Sequence, residues 1–550
     1  TRALSWIGLA ALACAPPNPE TETTNLGSSS SSSSSSTGGC EPGALGCPCD
    51  FGPTCDEGLV CVAGTCEDDG GTTTTTTTAT TTSTTGETSS STTEESSTTS
   101  TYDGICDYRD GIQDNPACPL PEAPYCSIGG LCSDCTAVVS CGALDPAKSV
   151  CDEESGLCVE CTASEDAACS DTEPLCDPIA HTCGPCTAHD QCSSGACQLD
   201  TGACFPQDSI LYVFRDAQKN GKCTTMIGAG GTMELPYCTA QDAVSHVQML
   251  DPMTPYQIVL LAGAPLIHSS LDVNSNGPHL TVALRTESNP TPDAEFMGGA
   301  VTLRVKGDVT VYADDLDLQS TAATDTAVVE CTSGARLYLD HVRAHGGAGP
   351  GLRGNECAKL SVSNSSIFKN GSEGIEMTLG ALVLRNVFVT DNGVSDNYGG
   401  GGLTVDQTVI DVAYSTFFLN HSQMSLGDSI HCSGKALDGS MVRNSIIARS
   451  EVIKTNESIV CLDLKVNRSV VDDGEMQGQG NVKMTVPAIN ALLKGDYPIG
   501  AYRLKGEAEA EMIRAVGQWK TGDPAFDFEG DPRPTANNGE ALVGADVVAP

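Results

Sequence analysis

The sequence predicts an all-β solenoid, a chain wound into stacked coils of parallel strands, preceded by small disulfide-rich modules and Ser/Thr linkers. Three observations carry this. Short apolar runs recur from Val301 to Arg449 with glycine, asparagine and aspartate between them. The run VSNSSIFKN, Val362 to Asn370, superposes on LRNVFVTDN, Leu384 to Asn392, at an offset of 22 residues, placing Asn364 over Asn386, Ile367 over Val389 and Asn370 over Asn392. The pattern returns in AYSTFFLN, ending at Asn420, and in VRNSIIARS, where Arg443 and Asn444 repeat Arg385 and Asn386. Second runs starting at Leu337, Leu360, Leu382 and Leu403 are spaced by 23, 22 and 21 residues. A period in the low twenties built from two or three short strands marks a repeat architecture. The units lack the leucine and asparagine spacing of a leucine-rich repeat, which leaves a parallel β-coil. One unit cannot bury its apolar side alone, so units stack about 4.8 Å apart with inward Val, Leu and Ile. Stacked asparagines are then expected to form hydrogen-bonded ladders at the corners.

Composition bounds the rest. The chain has 550 residues, a formal net charge of −43 and 29 cysteines. That length exceeds one compact domain. The acidity argues against nucleic-acid partners, and the cysteines point to disulfides in an oxidising compartment. Arg2 followed by the apolar run Ala3 to Ala13 reads as the end of a signal peptide, too short to span a bilayer. Ala11-Leu12-Ala13-Cys14 resembles a bacterial lipobox, which makes Cys14 the expected lipidation site and residues 1–14 the signal. Removing Cys14 leaves an even 28 cysteines for pairing. A Ser-rich linker at 15–39 and a Thr/Ser-rich linker at 68–101 cannot bury enough apolar surface to fold. Between them, residues 40–67 hold Cys40, Cys47, Cys49, Cys55, Cys61 and Cys66, a small knot that depends on disulfides.

Residues 102–206 repeat internally. YCSIGGLCSDCTAVVSC, VCDEESGLCVECTASEDAAC and LCDPIAHTCGPCTAHDQC align on Cys126, Cys151 and Cys176 at offsets of 25. Each carries a Cys-x-x-Cys-Thr-Ala core, namely Cys132/Cys135, Cys158/Cys161 and Cys183/Cys186. Such a core suits structural disulfides, zinc ligation or dithiol redox chemistry. The exported context and the extra cysteines favour structural disulfides, while His181 and His189 beside the last pair keep zinc in view. The module resembles tandem cysteine-rich repeats of bacterial surface lipoproteins, and the expected role is a stiff stalk.

At 207–300 the pattern changes to a strand (ILYVFRDAQ), an amphipathic helix (PYCTAQDAVSHVQML) and another strand (QIVLLAG). Thr239 is the expected N-cap, with Asp242 at the third helical position. Ala243, Val244, Val247 and Leu250 share a face. A cap of this kind closes the open, unpaired end of a solenoid. Cys223 with Cys238 is an expected bridge, and Cys331 with Cys357 and Cys432 with Cys461 are spaced for bridges between neighbouring coils.

Together the coil pattern, the cap and the closing AFDFEGDPRP…ALVGADVV over 301–550 resemble right-handed parallel β-helix proteins of the pectate-lyase-like superfamily, from roughly Ser209 to Pro550. The resemblance implies a right-handed coil, a last Gly-Ala-Asp strand closing the barrel, and, in the enzymes of the family, acidic and basic groups on one outer face. Calcium needs converging oxygens and hydrolysis needs paired carboxylates. The candidates are Asp314, Asp315 and Asp317 on one coil, Asp340, His341, Arg343 and His345 on the next, and Asp391 and Asp396 two coils later. Asp315 and Asp340, 25 apart, are expected to stack. No motif matches a catalytic pattern of the characterised families, and with 71 acids in the chain outward carboxylates will coincide by chance. The loop Asp391 to Gly402, with Tyr398 among glycines, is either a binding loop or an insertion; it lacks the lysine of a phosphate loop. His268, His279, His421 and His431 read as turn or surface residues.

The expected protein is therefore an exported monomer, held at the outer membrane or cell surface by its lipid anchor or else secreted, that binds carbohydrate or another surface component without catalysis. No cofactor is expected, with Ca²⁺ the one ion to consider. The alternatives are a polysaccharide lyase or hydrolase and a structural spacer.

Overall fold

The computed structural model describes the two strands within 59–68, residues 118 and 125–126, and from 131 to 546 all but short stretches, the longest being 215–221 and 394–400. The chain divides into two compact units, Thr1–Ser100 and Thr101–Pro550. In the first, Leu59–Val62 pairs antiparallel with Thr65–Asp68. Cys14, both linkers, Asp396, Tyr398 and most of the small knot lie outside the described residues.

The second unit carries minimal hairpins, Tyr125–Cys126 with Cys132–Ser133, Val150–Asp152 with Leu157–Val159 and Leu175–Asp177 with Thr182–Gly184. Hairpins this short have no core of their own, and disulfides hold them. The two cysteines of each Cys-x-x-Cys core never bond each other. Cys132 reaches back to Cys118 and Cys135 forward to Cys151. Cys158 joins Cys141 and Cys161 joins Cys176. Cys183 joins Cys169 and Cys186 joins Cys197. Each core thus welds one loop to the next, and no thiolate is left on these six residues for zinc or redox chemistry.

From Ile210 the chain is a parallel solenoid. A long sheet runs in order through Ile210–Val213, Tyr256–Leu260, Leu271–Thr286, Leu303–Asp314, Val329–Thr332, Leu352–Ser363, Ile375–Arg385, Leu403–Ala413, Ile430–Lys435 and Ile459–Leu462. A short sheet stacks Leu316–Ser320, Arg343–His345, Ser366–Phe368, Phe388–Thr390, Thr416–Asn420 and Ile446–Arg449 beside it. Alternate residues face inward, so like side chains line the bore in register: Val311, Leu337, Leu360, Leu382 and Ile410 form one buried row. Leu318, Ala344, Ile367, Val389 and Phe417 form another. The helix Ala240–Val247 packs its buried face on the first coils, with Thr239 Oγ1 accepting the Asp242 N–H at 3.1 Å. Leu250 lies beyond its end. Bridges join Cys223 to Cys238, Cys331 to Cys357 and Cys432 to Cys461.

Two corner devices close each coil. Between the sheets stands one residue in the left-handed region: Asp315, His341, Asn364, Asn386, Tyr414, Asn444 and Arg468, with φ from 45° to 56°. Asn and Asp tolerate this conformation best. After the short sheet, Asn370, Asn392 and Asn420 turn inward and form the expected ladder, Nδ2 to Oδ1 at 3.0 Å in both steps. A serine ladder was not foreseen: Ser415 N–H donates to Ser445 Oγ at 3.2 Å, and Ser445 N–H to Ser469 Oγ at 3.1 Å.

The ending differs from expectation. Gly544-Ala545-Asp546 does not close the bore as a strand. It runs along the outside of the corner row, with the Gly544 N–H on Asn444 O at 2.9 Å and the Ala545 N–H on Thr416 Oγ1 at 3.1 Å. The polar corner residues leave backbone groups that such a strap can satisfy.

Candidate functional site

The candidate residues fall into two groups on either side of the corner. On the long sheet, outward side chains stack in register as Arg285, Asp314, Asp340, Ser363 and Arg385. The aspartate over Asp340 is thus Asp314. Asp315 is instead the left-handed corner residue above His341, accepting from Thr286 Oγ1 at 2.7 Å. The offset of 25 misleads because this coil has a period of 26.

Asp340 Oδ1 accepts from Ser363 Oγ and from Asn364 Nδ2, both at 2.9 Å. His341 Nδ1 lies 3.3 Å from Asp314 Oδ1 and 3.5 Å from Asp340 Oδ2. Burial works to lower the His341 pKa, but the charges of Asp340 and Asp314 outweigh it and hold the ring up at about 9. His341 is therefore an imidazolium at neutral pH. Burial likewise works to raise Asp314, but the hydrogen bond from His341 together with the charges of His189, His341 and Arg285 outweighs it and keeps Asp314 low. A glycoside-cleaving pair needs one carboxyl raised to act as acid and the other ionised. Here His341 lies against both Asp314 and Asp340, and Asp314 is held low rather than raised.

The second group lies on the short sheet, where Glu295, Asp317 and Arg343 stack in register. Both Asp317 oxygens are engaged, Oδ2 by Arg343 Nη2 at 2.5 Å and Oδ1 by His345 Nε2 at 2.8 Å. His345 stacks on Phe368 with ring centres 4.8 Å apart. Asp391, on a later coil, accepts from Tyr502 Oη at 2.7 Å and joins neither group. His279 pairs with Asp308 at 2.6 Å on the surface.

A feature the sequence did not disclose covers the first group. The last cysteine-rich repeat, closed by Cys186–Cys197 and Cys192–Cys204, docks on the outer face of the solenoid. Tyr312 and Tyr338 stack on neighbouring coils with centres 4.8 Å apart, and Phe205 meets Tyr312 edge-on at 5.8 Å. The Tyr312 hydroxyl donates to Asp200, and Arg285 Nη2 donates to Ser194 O at 3.2 Å. His189, 7% exposed, brings a ring nitrogen within 4.8 Å of carboxylate oxygens of Asp314 and Asp340. These three residues are spaced for a cation, yet the histidine opposes one. Its Nδ1 accepts the Cys197 N–H at 3.0 Å, which puts the ring proton on Nε2. Ligation needs the bare Nε2 lone pair, so the donor set does not fit a metal while that hydrogen bond stands.

A neighbouring strip of the long sheet is open. Asp272, Arg304, Glu330, Arg353 and Glu376 stack along the axis with alternating sign. Arg304 Nε reaches Glu330 at 2.7 Å, and Arg353 Nε reaches Glu376 at 2.6 Å. The spacings of 26, 23 and 23 from Arg304 onward carry the coil period in the sequence. A separate cavity of 420 Å³ on the cap, lined in part by Lys222, Glu234 and Glu287, contains none of the candidates. Among the described residues no helix is long and apolar enough to cross a membrane.

A protein-family model described as a family of unknown function (DUF8331) matches residues 111–210, the cysteine-rich repeats through the docked one. No curated protein matches the chain. Among solved structures the chain is similar to pectate lyase Pel9A, at 12% identity and a TM-score of 0.29, over 60% of this chain and 88% of that one. A superposition that loose carries no inference about activity.

Proposed function

We propose that this chain is an exported, non-catalytic surface protein whose solenoid binds carbohydrate or another cell-surface component along the open charge ladder of the long sheet. The observation that carries this reading is the engagement of the would-be catalytic acids: Asp317 is held by Arg343 and His345, and Asp314 and Asp340 are clamped by His341 under the docked repeat. The ladder offers guanidinium and carboxylate groups at the coil spacing of about 4.8 Å, donors and acceptors suited to rows of hydroxyls. The disulfides support an oxidising, extracellular setting, and lipidation at Cys14 would tie the chain to the outer membrane. The test is the full chain against a panel of plant and bacterial polysaccharides, with and without calcium, following retention and new chain ends. Retention without product, weakened about tenfold by Arg353→Ala, supports the binding reading. New chain ends abolished by Asp315→Ala or Arg343→Ala would replace it with a polysaccharide-cleaving enzyme, and neither signal would leave a spacer.

A further inference from the structure

The strap at the end of the chain contains a second set of buried acids, unrelated to the ladder or the docked repeat. Asp527 sits in a tight turn and its Oδ1 accepts the N–H groups of Glu529 at 3.0 Å and Asp531 at 2.8 Å. Asp546, from the far end of the strap, hydrogen-bonds the Asp527 carboxyl. The two residues are 2% and 4% exposed, and Asp546 Oδ1 has no hydrogen-bond partner.

Between them the strap crosses three coils. Asn386 Nδ2 donates to Phe526 O at 2.8 Å, Phe528 packs edge-on against Phe388 with centres 4.9 Å apart, and Arg533 Nη2 donates to Asn386 Oδ1, Gly544 O and Ala545 O, each at 3.1 Å. The Arg533 guanidinium also lies 4.2 Å over the Tyr414 ring. The acid pair ties the first turn of the strap to its last residues.

Two carboxyl groups at hydrogen-bonding distance cannot both be bare acceptors; something positive must stand between them. A metal ion fits poorly. Among the described residues no third carboxylate, imidazole or thiolate converges on the pair, and calcium takes six to eight oxygens. The other charged groups facing the pair are engaged: Glu529 is in an ion pair with Arg503, Asp523 with Arg443, and the Arg533 Nη2 donors serve Asn386 and two carbonyls. A proton is the remaining occupant.

We propose that Asp527 and Asp546 share one proton, and that this proton latches the strap across the corner row, so that the strap is tight in acid and loosens in base. Burial, then the hydrogen bond and charge of Asp527, push Asp546 up to about 8. Because the folded value lies above the ordinary 3.8, the stabilisation is fully present below pH 3.8 and is lost as the pH rises through about 8. The direction is opposite to that of an ion-paired carboxylate.

The test is hydrogen exchange on the full chain from pH 6 to 9, comparing the amides of Phe528, Gly544 and Ala545 with the bore amides of Leu382 and Leu384 as internal standards. The expected result is that strap amides lose protection relative to the bore as the pH rises, and that Asp546→Asn, whose amide donates to Asp527 as the shared proton does, removes this pH dependence. Should that variant fail to fold, Asp527→Asn, which keeps the Oδ1 acceptor for the turn, is expected to remove it equally. Protection that stays parallel to the bore across the range in the native chain, or a pH response unchanged in whichever variant folds, would overturn the proposal.

Discussion

The solenoid wears two covers made of its own chain, and they are built differently. The docked cysteine-rich repeat sits on the long sheet through one small aromatic contact, Phe205 with Tyr312 and Tyr338, and a few polar bonds. The C-terminal region covers the short sheet with a larger apolar set, in which Phe418, Ile446 and Val470 pack against Ile489, Leu492, Leu504 and Ile513. The outward row of the short sheet changes accordingly, from Glu295, Asp317 and Arg343 where it is open to Phe388, Ile446 and Val470 where it is covered. On the short sheet the covered outward positions become mainly apolar, whereas the docked repeat lies over Arg285, Asp314 and Asp340; an acidic cluster on a solenoid face need not be a catalytic one.

The strap is most vulnerable at Arg533. Arg533→Met leaves Gly544 O, Ala545 O and Asn386 Oδ1 without their shared donor, and the expected loss is about 3–5 kcal/mol. Thermal melting of the full chain should show a lower transition, with exchange protection falling first near Leu542 to Ala545. On the other cover, Phe205→Ala should weaken docking by about 3 kcal/mol and expose the segment between Cys204 and Ile210 to limited proteolysis, while the bore melts unchanged. Equal global destabilisation by both variants would mean that the repeat is as integral as the strap. Tyr312→Phe, which removes only the hydroxyl donated to Asp200, should cost about 1 kcal/mol in the same proteolysis assay. The smallest effect concerns His341, whose ring is half exposed. Its folded pKa of about 9 lies above the ordinary 6.5. The clamp on Asp314 and Asp340 is thus fully present below pH 6.5 and is lost as the pH rises through about 9. His341→Asn should flatten that part of the alkaline decline in melting temperature and leave the strap's own pH response in place.

The coil was legible because its cause is local and repeated. Val362 to Asn370 and Leu384 to Asn392 superpose since each coil must bury the same row and turn the same corner, and Asn370 and Asn392 carry that requirement openly. The two bridges between neighbouring coils were legible for the same reason, as coil spacing places Cys331 beside Cys357 and Cys432 beside Cys461. The Asp315 reading failed on one residue of register: a corner residue with positive φ separates Asp314 from Asp317, and a count of 25 cannot show which side of the corner an aspartate is on. The docked repeat was illegible because nothing periodic links Phe205 to Tyr312 or His189 to Asp340. Such contacts join parts of the chain with different repeats, and only the fold brings them together. The strap was half visible: its terminal residues were singled out, but burial of Asp527 and Asp546 depends on a corner row supplied by coils more than a hundred residues earlier.

The short connection between Cys204 and Ile210 has a mechanical consequence. If the N-terminal chain is tethered and the solenoid is held at its far end, tension enters the solenoid through the docked repeat before it reaches the edge strand Ile210–Val213. The load then falls as shear on Phe205, Asp200 and the Arg285 contact, which must fail together, rather than peeling the edge strand one hydrogen bond at a time. A small aromatic contact thus shields the edge strand of the coil from being pulled open.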